Sequence, residues 1–256
     1  MNNKNIIKVE NLTISYGENV ILSNINFEIQ EKDIFIIMGP SGCGKTTLLN
    51  TLTGLKIPSS GKIFVDGFNF LNCDLKEKNS IMKKCGILYQ SGALFSSMTI
   101  EENVALPLQQ WTNYSTNEIK DLVDLKLSFV GLSGFEKFYP SEISGGMKKR
   151  AGFARALALD PQIVYFDEPS AGLDPINSKK LDELILQINE NLGTTIVIIT
   201  HELNSIFNIG TNSVFLDDET KKIIGYGKPT ELLKNTKNKK IIDFLSGGKI
   251  YAKNTE

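Results

Sequence analysis

The chain has 256 residues, enough for one substantial core, and its 22% charged and 41% hydrophobic content is that of an ordinary globular protein. A formal net charge of −1 gives no overall electrostatic pull toward nucleic acid, and no apolar run approaches the roughly 18 residues that cross a bilayer. Three scattered cysteines (Cys43, Cys73, Cys85) form neither a metal-ligand spacing nor a disulfide framework, and the start MNNKNIIKVE lacks a signal-peptide pattern, so a reducing, cytoplasmic setting is expected.

The first thirty residues alternate in the manner of strands, with Ile7, Val9, Leu12 and Ile14, then Ile25, Phe27 and Ile29, about a turn at Tyr16-Gly17-Glu18-Asn19. Residues 34–38 form a continuous apolar strand that runs into glycines. A helical pattern, KTTLLNTLTGL, follows and is closed by Gly54. Residues 58–61 read as a turn and 62–65 as another strand. Ser115-Thr116-Asn117-Glu118 has capping-box spacing, and Ile119, Leu122 and Val123 continue it with helical periodicity. A second helix is expected from Gly145 through Leu159. Strand signals return at residues 163–166, 195–199 and 214–216. Residues 175–191 read as a helix with Leu181, Leu184, Ile185 and Ile188 on one face. Near the C terminus Ile241, Ile242, Phe244 and Leu245 mark a short helix that either packs on the body or crosses to a second copy. This order implies an α/β sheet carrying two appendages.

Gly39-Pro40-Ser41-Gly42-Cys43-Gly44-Lys45-Thr46 fits G-x-x-x-x-G-K-[ST] between a strand and a helix, the context that motif needs. Its glycines let backbone N–H groups turn toward phosphate oxygens, and the following helix adds its positive end. Lys45 supplies a point charge to the β- and γ-phosphates of ATP and Thr46 a hydroxyl to Mg²⁺. The strand at residues 163–166 delivers Asp167-Glu168 at its C-terminal end, where ligands bind in open α/β sheets. Asp167 can hold Mg²⁺ through water, and Glu168 can polarise the attacking water. His201, the single histidine of the chain, follows the strand TTIVIIT and leaves the same edge. Each of these has an ordinary reading alone (a capping acid, a surface histidine), and their shared position at strand ends weighs against it.

Ser144-Gly145-Gly146 opens the second expected helix and makes another anion-binding helix start. One triphosphate does not need two such sites, and the helical insertion separates them. Two subunits arranged head to tail would close both on one ATP.

Together these residues resemble the ATP-binding subunit of ABC transporters over residues 8–233. The resemblance implies a P-loop NTPase (RecA-like) core with an antiparallel β subdomain and an inserted α-helical subdomain at about 91–160. It implies one domain over 1–245 and a tail over 246–256. By this likeness Tyr16 stacks on adenine, and Gly39, Pro40, Ser41, Gly42, Cys43, Gly44, Lys45, Thr46 and Thr47 hold the phosphates. Gln90 reaches Mg²⁺ and the attacking water, so that Thr46, Gln90 and Asp167 form the metal set and Glu168, His201 and Gln90 the catalytic set. ISGGM, with Ser144, Gly145 and Gly146, resembles the family signature, in which glutamine is commoner than Met147; Asp174 in SAGLD completes the pattern. The family pairs two subunits around two ATPs.

A finer resemblance, in residues 88–108, SGGM with Lys148-Lys149-Arg150, and DEPSAGLDPI, is to the lipid-asymmetry (Mla or toluene-tolerance) branch. That implies an ATPase peripheral on the inner face of the cell membrane, bound to a permease and working with a periplasmic lipid-binding protein, without nucleic acid. Gly92, Ala93, Leu94, Phe95 and Met98 are then expected to expose an apolar socket for a permease helix. The alternatives are an ABC ATPase of another importer or exporter, and a cell-division-type ATPase that couples mechanically without cargo. A chromosome-structure ATPase would need a long coiled coil between phosphate loop and signature, and only about a hundred residues lie there, without heptads.

Overall fold

A computed structural model describes residues 4–247 and contains two sheets. The N-terminal hairpin, β1 (Asn5–Tyr16) and β2 (Asn19–Gln30), pairs antiparallel as the alternation predicts. The chain then passes into the second sheet through β3 (Ile34–Met38), turns through a glycine loop and enters α1 (Lys45–Leu52). It returns through β4 (Ser60–Val65) and β5 (Phe68–Asn69), which complete a four-stranded sheet in the order β2-β1-β4-β5.

From α2 (Leu75–Lys83) the chain enters β6 (Cys85–Leu88) and then three helices, α3 (Ile100–Trp111), α4 (Thr116–Phe129) and α5 (Gly145–Ala156). These helices pack on one another and fill the interval between β6 and β7 (Ile163–Asp167). Alternating elements follow: α6 (Pro175–Leu192), β8 (Thr195–Ile199), α7 (Leu203–Ile209), β9 (Asn212–Leu216) and β10 (Ile223–Tyr226). The chain ends in α8 (Pro229–Asn235) and α9 (Lys239–Leu245). The second sheet has the order β10-β9-β3-β8-β7-β6, parallel except for β10.

Every residue of β3, β7 and β8 is buried, as expected of parallel strands covered on both faces. Their side chains divide by the two-residue period between two cores. Ile36, Phe166 and Ile198 face the core shared with α5, α6 and α7, while Ile37, Tyr165 and Ile199 face the core shared with α1 and the antiparallel sheet. The architecture is the expected α/β sheet with a β appendage and a helical one.

Some details go beyond the sequence reading or settle what it left open. Helix α2 and strand β6 carry no periodic signal of their own, yet both form: Asp74 and Glu77 build a capping box for α2, and the short β6 pairs with β7. The C-terminal helix packs on its own body. Ile241 and Leu245 are buried there, and Phe244 meets Phe215 edge to face at 5.2 Å. Of the tail set apart at 246–256, Gly248 onward lies outside the described residues. Among the described residues no helix is long and apolar enough to cross a membrane.

Candidate functional site

The parallel register fixes what comes together. Ile37 lies beside Ile199, Asp167 beside Ile199, and Leu88 beside Phe166. The C-terminal ends of β3, β8, β7 and β6 therefore stand in a row. They release, in that order, the glycine loop, His201, the Asp167-Glu168 pair and the segment carrying Gln90.

In the loop, Gly39 and Gly44 are demanded by space as well as backbone. Gly39 has φ 148° and a Cβ there would lie 2.4 Å from the Leu216 carbonyl; Gly44 has φ 101° and a Cβ would meet Ile21 at 2.8 Å. Gly44 is the N-cap of α1 and brings no side-chain cap, so the helix start presents backbone N–H groups, as an anion site requires. Lys45 curls over the loop and donates to the carbonyls of Gly39 (2.9 Å) and Pro40 (2.8 Å). Thr46 Oγ1 stands 3.5 Å from Asp167 Oδ1. Burial, and then the neighbouring charge of Glu168, push the Asp167 carboxyl above the usual carboxylate range, against the pull of Thr46 and Lys45. An Asp167 in that setting gains a counter-charge when a cation binds beside it. Among the described residues no three His, Cys, Asp or Glu side chains gather into a metal cluster. A cation here would depend on the single Asp167 carboxylate, on hydroxyl and amide oxygens, and on its ligand.

Glu168 is the meeting point of the row. Its Oε2 accepts from Gln90 Nε2 at 3.2 Å, and its Oε1 lies 3.3 Å from His201 Nδ1. Its backbone sits at φ 49°, a left-handed conformation costing a non-glycine residue on the order of 1–3 kcal/mol. The Glu168 N–H bond to Ile199 O, 2.9 Å, holds it there. Lys149, on α5, donates to the carbonyls of Ala171 and Glu168 and so ties the signature helix to the segment after β7. Its ammonium is held below the ordinary lysine range by burial, opposed by the charges of Glu168 and Glu202.

Four predicted residues lie elsewhere. Tyr16 is exposed at the hairpin turn, with Lys56 Nζ over its ring at 4.2 Å. Ser144 caps α5, accepting from Met147 N at 3.2 Å, and with Gly146 it borders a cleft of about 470 Å³ lined also by Arg150, Leu173 and Asn177. No residue of the glycine loop lines that cleft. Gly145 is informative because a Cβ there would meet nothing within 4 Å and its backbone needs no positive φ. Nothing in this chain requires glycine at that position.

The expected apolar socket after Gln90 is smaller than anticipated. Gly92 is buried against Lys148 and Leu94 packs into the core, leaving Phe95, 51% exposed, as the prominent apolar group. Two residues that the sequence reading missed hold this loop. Asn103, fully buried, accepts from Phe95 N (2.7 Å) and donates to the carbonyls of Phe95, Met98 and Thr99. Arg155 donates to the Gly92 and Ala93 carbonyls and covers the Phe95 ring. Asn103→Leu is expected to destabilise the protein by about 2–3 kcal/mol, because buried backbone groups lose their partner; the denaturation midpoint measures this, and an unchanged midpoint would count against the latch.

A model of the ABC transporter family matches residues 22–171. The chain is 39% identical over 245 residues to the intermembrane phospholipid transport ATP-binding protein MlaF of Haemophilus influenzae, covering 96% of this chain and 92% of that one. It is 42% identical to a probable ribonucleotide transport ATP-binding protein, mkl, of Mycobacterium leprae, covering 95% of this chain and 70% of that protein. Among solved structures it resembles a dimeric ATP-binding cassette in a post-hydrolysis state bound to ADP and Pi, with TM-score 0.80, 33% identity and coverage of 87% and 98%. It also resembles the cassette of a cbiONQ complex from Clostridium perfringens, with TM-score 0.81, 27% identity and coverage of 97% and 99%.

Proposed function

The chain belongs to the ABC transporter family as an ATP-hydrolysing subunit, and from that premise we propose how its residues divide the work and what the work moves. Two copies meet head to tail. Each ATP lies between the glycine loop of one copy and the Ser144-Gly145-Gly146 helix start of the other. The observation that carries this reading is Gly145, a glycine that its own chain does not require and that a phosphate pressed on from a second subunit would.

Within one composite site, the Tyr16 ring faces adenine, and the residues from Gly39 to Thr47 turn their N–H groups to the β- and γ-phosphates. Lys45 exchanges its two carbonyl bonds for phosphate oxygens, which are stronger acceptors for an ammonium. The Thr46 hydroxyl, the Asp167 carboxylate and the Gln90 amide oxygen would hold a magnesium ion beside the phosphates. The chemistry such an ion would supply is charge neutralisation at the phosphates during transfer. Glu168 accepts a proton from the attacking water as the water oxygen bonds to the γ-phosphorus and the bond to the ADP oxygen breaks. His201 and Gln90, both within reach of Glu168, hold that water and the γ-phosphate in line.

The cargo we assign is a phospholipid. The relative matched nearly end to end is named for phospholipid transport, whereas the one named for ribonucleotides extends well beyond this chain. Cargo is selected by the membrane partner, so the test reconstitutes this subunit with its permease in vesicles. ATP-dependent phospholipid movement is expected, and ribonucleotide movement without it would overturn the assignment. The subunit is held at the inner face of the membrane by that permease, with a periplasmic lipid-binding protein completing the system.

Phe95 is the contact we assign to the permease. Phe95→Asp is expected to release the subunit from permease-containing membranes while ATP binding stays within about twofold, because the ring is exposed and its backbone is held by Asn103. Sedimentation with the vesicles reads the first and nucleotide titration the second. Retained co-sedimentation would exclude Phe95 as the anchor.

A further inference from the structure

His201 stands in a three-residue link between β8 and α7, with its side chain 58% exposed. With more than half of the ring in solvent and Glu168 its recorded polar contact, its position depends on how α7 is held. The N-cap residue of α7, Glu202, makes no side-chain cap to its own helix. Its carboxylate instead accepts from Ser178 Oγ on α6 at 2.7 Å, across 24 residues of sequence. One turn further along both helices the pairing recurs with the partners exchanged: Ser205 Oγ on α7 donates to Asp182 Oδ2 on α6 at 2.9 Å. Ser178, Asp182 and Ser205 are all buried.

This arrangement is expensive. Burial, helped by the Glu202 charge, pushes the Asp182 carboxyl up to about 6, and an apolar pair of similar volume would hold two helices together at lower cost. Directional bonds supply something that apolar contact does not, namely a fixed rotation of α7 about its axis relative to α6. That rotation aims the residue preceding Glu202. The same N-terminal end of α6 is capped by Asp174, whose carboxylate accepts from Ile176 N and Asn177 N, so the first turns of the helix join the segment after Glu168 to the link carrying His201.

We infer that Ser178, Glu202, Asp182 and Ser205 form a two-rung clamp between α6 and α7 that positions His201 against Glu168. Glu202 and Asp182 are positioning residues: neither touches the nucleotide, and both act through the histidine. The inference rests on the hydrolytic role proposed for His201 and adds to it a mechanical link from the Asp174 cap of α6 to the histidine of the same chain.

The test compares steady-state ATPase kinetics of the intact subunit in His201→Ala, Glu202→Ala, Glu202→Gln, Asp182→Ala and the double variant His201→Ala/Glu202→Ala, with melting temperature followed in each. Glu202→Ala and Asp182→Ala are expected to lower kcat by about tenfold or more with KM for ATP within about twofold. Glu202→Gln, which still accepts from Ser178, should recover most of kcat. In the double variant the Glu202 change should add nothing to the loss from His201→Ala, since both act at one point. Full kcat in Glu202→Ala and Asp182→Ala beside an impaired His201→Ala would overturn the clamp and leave the hydrolytic reading standing. An unimpaired His201→Ala would overturn the hydrolytic reading itself. Equal, additive losses tracking melting temperature would reduce the four residues to packing.

Discussion

Glu168→Gln is expected to lower ATP turnover by roughly 10²–10⁴-fold, the contribution of a general base, while leaving ATP binding intact. The amide is isosteric with the carboxylate and stays within reach of Gln90 and His201, which approach the two oxygens separately at 3.2 and 3.3 Å. What it loses is the ability to take a proton from water. The strained backbone at φ 49° is held by the Ile199 carbonyl rather than by the side chain, so the fold should not change. With ATP held between the two copies as proposed and no turnover to remove it, this variant should accumulate as an ATP-bound dimer. Light scattering with and without ATP, alongside phosphate release, reads both effects. A turnover rate equal to the parent's would remove Glu168 from the mechanism.

Ser144→Asp is the second large effect, and it separates capping from catalysis. Aspartate caps a helix as well as serine does and favours the positive end of α5, so the helix and its Met147 bond have no reason to fail. In the assembled site the same carboxylate would face the γ-phosphate held by the other subunit, replacing a hydroxyl donor with a like charge. Hydrolysis should fall on the order of 10²-fold or more, the scale on which loss of one preorganised phosphate or oxyanion contact is felt. Nucleotide binding to the isolated chain should be unaffected, because the cleft bordered by Ser144 is separate from the glycine loop. Weakened binding in the monomer would mean that Ser144 serves its own chain.

The parts of the site legible in the sequence were those where an apolar strand hands a polar residue to the sheet edge. Residues 34–38, 163–166 and 195–199 are continuous apolar runs, and a buried parallel strand has no other way to look. Gly39, Asp167 and His201 therefore announce their location by what precedes them. Strand β6 is only four residues, CGIL, and its pairing with β7 supplies what its composition does not. Helix α3 hides behind Pro107 within it and behind Asn103, a polar residue at a core position whose value lies in four loop contacts. The clamp residues were silent for the same reason. Ser178, Asp182, Glu202 and Ser205 have the composition of a solvated helix face, and only the packing of α6 on α7 turns them inward. The C-terminal helix was ambiguous because an apolar patch of four residues fits either an intramolecular or an intermolecular groove. The Phe244–Phe215 contact assigns it to the body.

The central claim is that neither copy holds a complete site, and mixing two inactive chains tests it most directly. Lys45→Ala removes the phosphate-binding lysine and Ser144→Asp the opposing helix start, so each variant alone forms dimers with both sites defective. A mixed dimer contains one site with both defects and one with neither. Combining the two purified variants should therefore restore ATPase activity to about a quarter of the parent rate, since about half the dimers are mixed and each carries one sound site. Activity that stays at the level of the separate variants after subunit exchange would contradict the composite site and return both motifs to a single chain.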